Sequence, residues 1–116
     1  MSAMKWVLSS KLHQATVTDA NLSYVGSITI DVALMERVGF WPGEKVQVVS
    51  NTTGERLETY VIEGPRDSGV ICMNGACAHK IKTGEELIIM GYTLSPEPIV
   101  PKLVLVDAQN KFLRYL

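Results

Sequence analysis

The sequence predicts a small, mainly β fold that closes as a barrel and carries one or two short helices. Three observations lead there. Apolar and polar residues alternate with period two through most of the chain, the pattern of half-buried strands. Five prolines and nine glycines are spread over 116 residues, which punctuates many short elements. Strands this numerous in so short a chain have to close or stack to cover their edges.

The elements follow in order. Lys5–Leu8 and His13–Thr18 are the first strand candidates. Next, Val25, Ser27, Thr29 and Asp31 alternate with Gly26, Ile28 and Ile30. Asp31 then suits a helix N-cap, Val32, Leu34, Met35 and Val38 fall at helical spacing, and Gly39 stops the helix. Val46 and Val48 flank Gln47, and Leu57, Thr59 and Val61 alternate with Glu58, Tyr60 and Ile62. Asn51-Thr52-Thr53-Gly54 and Gly64-Pro65-Arg66-Asp67-Ser68-Gly69 are turn chemistry between strands. Val70–Met73, a helical turn at Ala76–Lys80, and strands at Glu86–Tyr92, Lys102–Asp107 and Lys111–Tyr115 complete the reading.

A weak internal repeat has the same implication. Gly43-Glu44-Lys45-Val46-Gln47-Val48-Val49 and Gly84-Glu85-Glu86-Leu87-Ile88-Ile89-Met90 each place a turn glycine and an acid before an apolar strand, and each follows a helical candidate. Two such halves resemble the pseudo-twofold of double-psi β-barrels.

Length and composition bound the chemistry. Hydrophobic residues make up 47% of the chain and charged residues 20%, a globular balance. One domain over residues 1–116 is expected, which leaves no room for a separate cofactor-binding domain. Eleven basic residues against twelve acidic ones are interleaved, so there is no basic stripe for a nucleic acid. The N-terminal residues lack the apolar run of a signal peptide, and no window is long and apolar enough for a membrane helix. A cytoplasmic protein without a membrane or nucleic-acid partner is expected. Cys72 and Cys77 are separated by four residues, unlike zinc or thioredoxin spacings, and no metal site is expected. His13 and His79 stand outside every general catalytic motif.

Longer stretches carry more. Lys11-Leu12-His13, the run from Val17 to Asp31 that includes Tyr24-Val25-Gly26-Ser27, and Thr53-Gly54-Glu55-Arg56-Leu57-Glu58-Thr59-Tyr60 are followed by Gly64-Pro65-Arg66-Asp67-Ser68-Gly69 and Asn74-Gly75-Ala76-Cys77-Ala78-His79. In this order and spacing, from about Met4 to Leu116, they resemble the pyruvoyl-dependent aspartate 1-decarboxylase family. The resemblance implies a six-stranded double-psi β-barrel, with short helices, that assembles as a homotetramer with sites between protomers. It also implies autocatalytic cleavage between Gly26 and Ser27, which gives a β chain of residues 1–26 and an α chain of residues 27–116. Ser27 would become a covalently bound pyruvoyl group, with no pyridoxal phosphate. The sequence leaves both spontaneous cleavage and cleavage aided by a maturation partner open.

The residues suit that chemistry. Decarboxylating an amino acid leaves a carbanion, and an electrophilic carbonyl is needed to take up its electrons; no side chain supplies one. Gly26, lacking a Cβ, is expected to hold a strained conformation that leaves its carbonyl open to the Ser27 hydroxyl. The family implies that Thr59 helps activate the cleavage and that Tyr24 and His13 support it. L-aspartate brings two carboxylates: Arg56 suits a bidentate clamp, Lys11 adds a second positive charge, and the family assigns both to substrate. Tyr60 is the candidate acid that reprotonates the carbanion, a phenol being protonated at neutral pH. On a strand Thr59 and Tyr60 point to opposite faces. Asn74, Gly75 and Ala76 resemble the pocket lining. Cys77 departs from the family's alanine run, and Val49 stands where an aromatic is frequent. The implied function is decarboxylation of L-aspartate to β-alanine for pantothenate synthesis. The alternative is a processing-deficient homologue serving as a structural or binding β-barrel.

Overall fold

In the computed structural model, which describes residues 3–116, nine strands and two short helices follow one another among the described residues. They are β1 (Lys5–Thr16), β2 (Asp19–Asn21), β3 (Ser27–Asp31), α1 (Val32–Val38), β4 (Lys45–Ser50), β5 (Arg56–Gly64), β6 (Ile71–Asn74), α2 (Cys77–Lys80), β7 (Glu86–Ser95), β8 (Lys102–Val106) and β9 (Phe112–Tyr115). The fold is mainly β, as the sequence predicts. Met1 and Ser2, included in the domain expected over 1–116, lie outside the described residues.

The first two strand candidates are one strand. β1 runs through Ser9, Ser10, Lys11 and Leu12, and its pairing with β7 slips between Leu8 and Ser10 and again between His13 and Ala15. Each slip shifts the alternation by one residue, so a single bent strand reads in sequence as two. Gln14, at the second slip, has a φ of 65°.

The strands are hydrogen-bonded in the order β2-β6-β3-β5-β4-β7-β1-β8-β9. Bonds between loops then draw the two ends of this order together. Asn110, in the turn between β8 and β9, donates from Nδ2 to the carbonyls of Thr16 and Gly69, while its Oδ1 accepts from Thr16 N–H. Just beyond β1, Thr18 N–H donates to Ile71 O, and Ile71 N–H donates to Thr18 Oγ1. The sheet therefore curls around an apolar interior of Leu12, Ile28, Ile30, Val48, Val61 and Ile89, all fully buried. Burying each such side chain contributes about 1.5–3 kcal/mol.

The repeat seen in sequence has a structural counterpart. β3-α1-β4 and β6-α2-β7 are matching units; β3 pairs antiparallel with β6, and β4 antiparallel with β7. Before β4, Gly43 has a φ of 81° and Glu44 Oε1 accepts from Trp41 N–H; before β7, Gly84 has a φ of 90° and Glu85 Oε2 accepts from Lys82 N–H. In both halves the acid secures the turn that its glycine permits. No helix of the described residues is long and apolar enough to cross a membrane.

Candidate active site

The local chain path sets the centre of the site. Asn21 ends β2 and makes an Asx turn, its Oδ1 accepting from Ser23 N–H at 3.0 Å, so the chain reverses through exposed Leu22, Tyr24 and Val25 before it enters β3. Ser27, first residue of β3, is completely buried. Its hydroxyl donates to the carbonyl of Val25 at 3.0 Å and accepts from Asn74 Nδ2 at 3.0 Å. Asn74, also buried, lies directly opposite Ser27 in the antiparallel β3/β6 pair. Its Nδ2 donates a second bond to Thr29 Oγ1 at 2.8 Å, and its Oδ1 accepts from the Cys72 thiol at 3.2 Å. Burial raises the Cys72 thiol above its ordinary pKa, and the nearby Asp19 carboxylate adds to this.

The strained conformation expected at Gly26 is not found there; the position that demands glycine is Gly75. Gly26 lies outside the left-handed region, and a Cβ there would meet nothing within 4 Å. Strain at Gly26 is therefore not observed, and its Cβ position is unobstructed. Gly75, with a φ of 64°, leaves no room: a Cβ on it would sit 2.8 Å from the Cα and N of Gly26 and from Tyr24 O. Its N–H donates to Asn21 O at 2.8 Å. The loop that contains the Gly26–Ser27 peptide thus packs against the backbone of Gly75, and only glycine fits there. Ala76 is exposed at the start of α2, and Cys77 is half-buried against the core.

Strand register divides the other predicted residues between two faces. Ile28 aligns with Val61 in the parallel β3/β5 pair; one residue earlier on both strands, Ser27 aligns with Tyr60. Tyr60 therefore shares the outward face with Ser27, about 5 Å away between backbones. Thr59 points to the inner face, opposite Val46. Arg56 is on the outward face with Tyr60, about 13 Å farther along β5. Across the curl, Arg56, Val49, Ile88 and His13 form one outward row, and Glu58, Gln47, Met90 and Lys11 form the next. Lys11 and His13 thus lie on β1, four strands from Ser27 in the sheet order.

One chain therefore gathers Gly26, Ser27, Tyr60, Asn74 and Gly75, and holds Lys11, His13 and Arg56 on a separate stretch of the same outward surface. The Nδ1 atom of His13 is buried without a hydrogen-bond partner among the described residues. A surface groove of about 570 Å³ opens on this face, lined by Trp6, Lys45, Gln47, Glu58 and Tyr92 among others. Within it Lys45 and Glu58 pair at 2.8 Å, and the Tyr92 hydroxyl donates to Gln47 Oε1 at 2.8 Å. Two residues that the sequence analysis did not assign to the site, Thr29 and Cys72, touch the Ser27 centre through Asn74. Their only sequence signal is alternation with Ser27 and with Asn74 on their own strands. No group of three or more His, Cys, Asp or Glu among the described residues is placed to hold a metal ion.

Comparison with known proteins connects this arrangement to a family. The family model described as aspartate decarboxylase matches residues 3–113. A protein of Caldicellulosiruptor saccharolyticus named aspartate 1-decarboxylase is 54% identical over 112 residues, covering 93% of this chain and 88% of that protein. Proteins of the same name from Neisseria meningitidis and Bacillus subtilis are 51% and 50% identical, covering 90% and 95% of this chain and 86% and 90% of their own lengths.

Proposed function

The chain belongs to the aspartate decarboxylase family, and on that premise we propose that it cleaves itself between Gly26 and Ser27 and then converts L-aspartate to β-alanine and carbon dioxide, the β-alanine serving pantothenate synthesis. The observation that carries this reading is the Ser27 hydroxyl: wholly buried, bonded to Val25 O and Asn74, and next to Gly26.

The atoms exchanged in the cleavage come from the chain and water. Ser27 Oγ attacks the Gly26 carbonyl carbon as its proton leaves, and the Gly26–Ser27 C–N bond breaks while the nitrogen gains a proton, giving an ester. Loss of the Ser27 α-proton expels the Gly26 carboxylate from Cβ. Water then displaces the nitrogen as ammonia, leaving residues 1–26 and residues 27–116, the latter beginning with a pyruvoyl group. Planar amides resist such attack, so donors near the junction have to stabilise the oxygens that gain charge. Asn74 is the donor that touches Ser27. Tyr24 and His13 support the step in this reading, and Thr59 acts on it from the inner face, through the strand that carries Tyr60.

The pyruvoyl carbonyl supplies the sink for electrons released when carbon dioxide departs. The burial of Ser27 and the glycine cradle at Gly75 fit a small group at this position. Tyr60, aligned with Ser27 on the outward face, returns the proton to carbon. Arg56 clamps a substrate carboxylate and Lys11 adds positive charge, while Asn74, Gly75 and Ala76 line the pocket. Because Lys11, His13 and Arg56 are remote from Ser27 within one chain, a second copy brings them to it, in a homotetramer.

Incubation with L-aspartate tests the proposal. β-Alanine should form, and Ser27→Ala should abolish it. Formation at an undiminished rate by Ser27→Ala would overturn the pyruvoyl mechanism, and a chain that neither cleaves nor turns over aspartate would be a processing-deficient barrel.

A further inference from the structure

We propose that Cys72 and Thr29 are positioning residues for self-cleavage, fixing the Asn74 amide so that its NH2 group faces the Ser27 hydroxyl. The inference rests on the reading of Gly26–Ser27 as the cleavage junction. It starts from register: Asn74 lies opposite Ser27 and Cys72 opposite Thr29 in the β3/β6 pair, so the four side chains occupy adjacent places on one face.

A carboxamide can turn over, exchanging its two donor hydrogens for its acceptor oxygen. If Asn74 turned, its oxygen would meet Ser27 and the junction would lose its donor. Cys72 opposes that exchange, and Thr29 anchors the NH2 end where it stands. Thr29 Oγ1, 2.8 Å from Nδ2, accepts one of the NH2 hydrogens. Cys72 Sγ, 3.2 Å from Oδ1, supplies a hydrogen that only the oxygen end can accept. Burial and the Asp19 charge keep that thiol protonated at neutral pH, as this bond requires. With the amide so held, its remaining N–H bonds Ser27 Oγ, and the Ser27 hydrogen goes to Val25 O. A donor held on Oγ stabilises the negative character that oxygen acquires as its proton leaves. Neither Cys72 nor Thr29 has a hydrogen bond to Ser27 itself, so each acts through Asn74.

The test follows cleavage of the freshly purified full chain by intact mass over time. Cys72→Ala and Thr29→Val should each slow the appearance of residues 27–116 by about tenfold or more, the effect of removing one fixed hydrogen bond from a rate-determining arrangement. Cys72→Ser and Thr29→Ser, which keep the donor or acceptor, should cleave within about threefold of the unsubstituted chain. Cleavage of the alanine and valine variants at the unsubstituted rate would overturn the inference and leave the junction standing. Equal slowing in the serine variants would also overturn it, because packing rather than hydrogen bonding would then be responsible. An unsubstituted chain that never cleaves would overturn the junction itself, and the inference with it.

Discussion

Ser27 is bonded to a residue 47 positions away, and that separation explains what a sequence reader can and cannot see of this site. Gly26-Ser27 has no local signature; it gains meaning only from the family pattern around it. The contact to Asn74, and the Thr29 and Cys72 bonds that accompany it, depend on the pairing of β3 with β6, which alternation alone does not specify. The need for glycine is likewise transferred from Gly26 to Gly75. Gly75→Ala should push the junction loop off its seat and, with a φ of 64°, strain the backbone as well. A loss of about 2 kcal/mol or more is expected in urea unfolding, together with slowed cleavage; unchanged stability and cleavage would contradict the close packing. For Cys72 the raised pKa has a direct consequence. Less thiolate is present at a given pH, so iodoacetamide should alkylate Cys72 more slowly than free cysteine at pH 8, with the difference narrowing as pH rises.

At the scale of elements, chemistry within a few residues was legible and chemistry across loops was not. Asp31 and Gly39 bound α1 as the sequence indicates: the Asp31 side chain accepts from Ala33 N–H at 2.9 Å, and Gly39, at φ 88°, donates to Met35 O. The same carboxylate also accepts from Asp67 N–H and Gly69 N–H, tying the β5–β6 loop to the start of the helix. Nothing in the spacing of residues 31 and 67 announces this. Asp31→Ala should therefore cost more than an ordinary cap, about 3 kcal/mol against about 1 for the cap alone, in equilibrium urea unfolding. A loss near 1 kcal/mol would mean that the loop bonds contribute little. β1 was divided in sequence because its two slips reverse the alternation, and three-residue β2 was missed because Asp19, Ala20 and Asn21 carry no strand propensity.

At the scale of the whole molecule, one chain divides the residues proposed for the site between two places. Ser27, Tyr60, Asn74 and Gly75 converge, whereas Lys11, His13 and Arg56 lie across an outward face interspersed with Val49, Ile88 and Met90. Half-apolar faces carrying charged groups are typical of surfaces that pair with another copy. If the sites are shared between copies, Arg56→Ala and Ser27→Ala should each be inactive alone. Hybrids formed by mixing and refolding the two should regain a fraction of the activity, because one copy supplies the intact Ser27 and the other the intact Arg56. Verified hybrids without activity would place the whole site in one chain. The mainly β fold was readable from period-two alternation, and the matching turns before β4 and β7 from the repeated Gly-Glu. The separation of Lys11, His13 and Arg56 from Ser27 was not legible in alternation, because it arises from register across four strands; only the family resemblance implied sites between protomers.

The central claim is that the chain makes its own reactive carbonyl from Ser27, and intact mass under denaturing conditions tests it most directly. Two species are predicted, residues 1–26 ending in a free carboxylate and residues 27–116 lighter by one ammonia than a chain beginning with serine. A single full-length chain that persists after prolonged warming, or a second fragment whose mass retains an N-terminal serine, would contradict it.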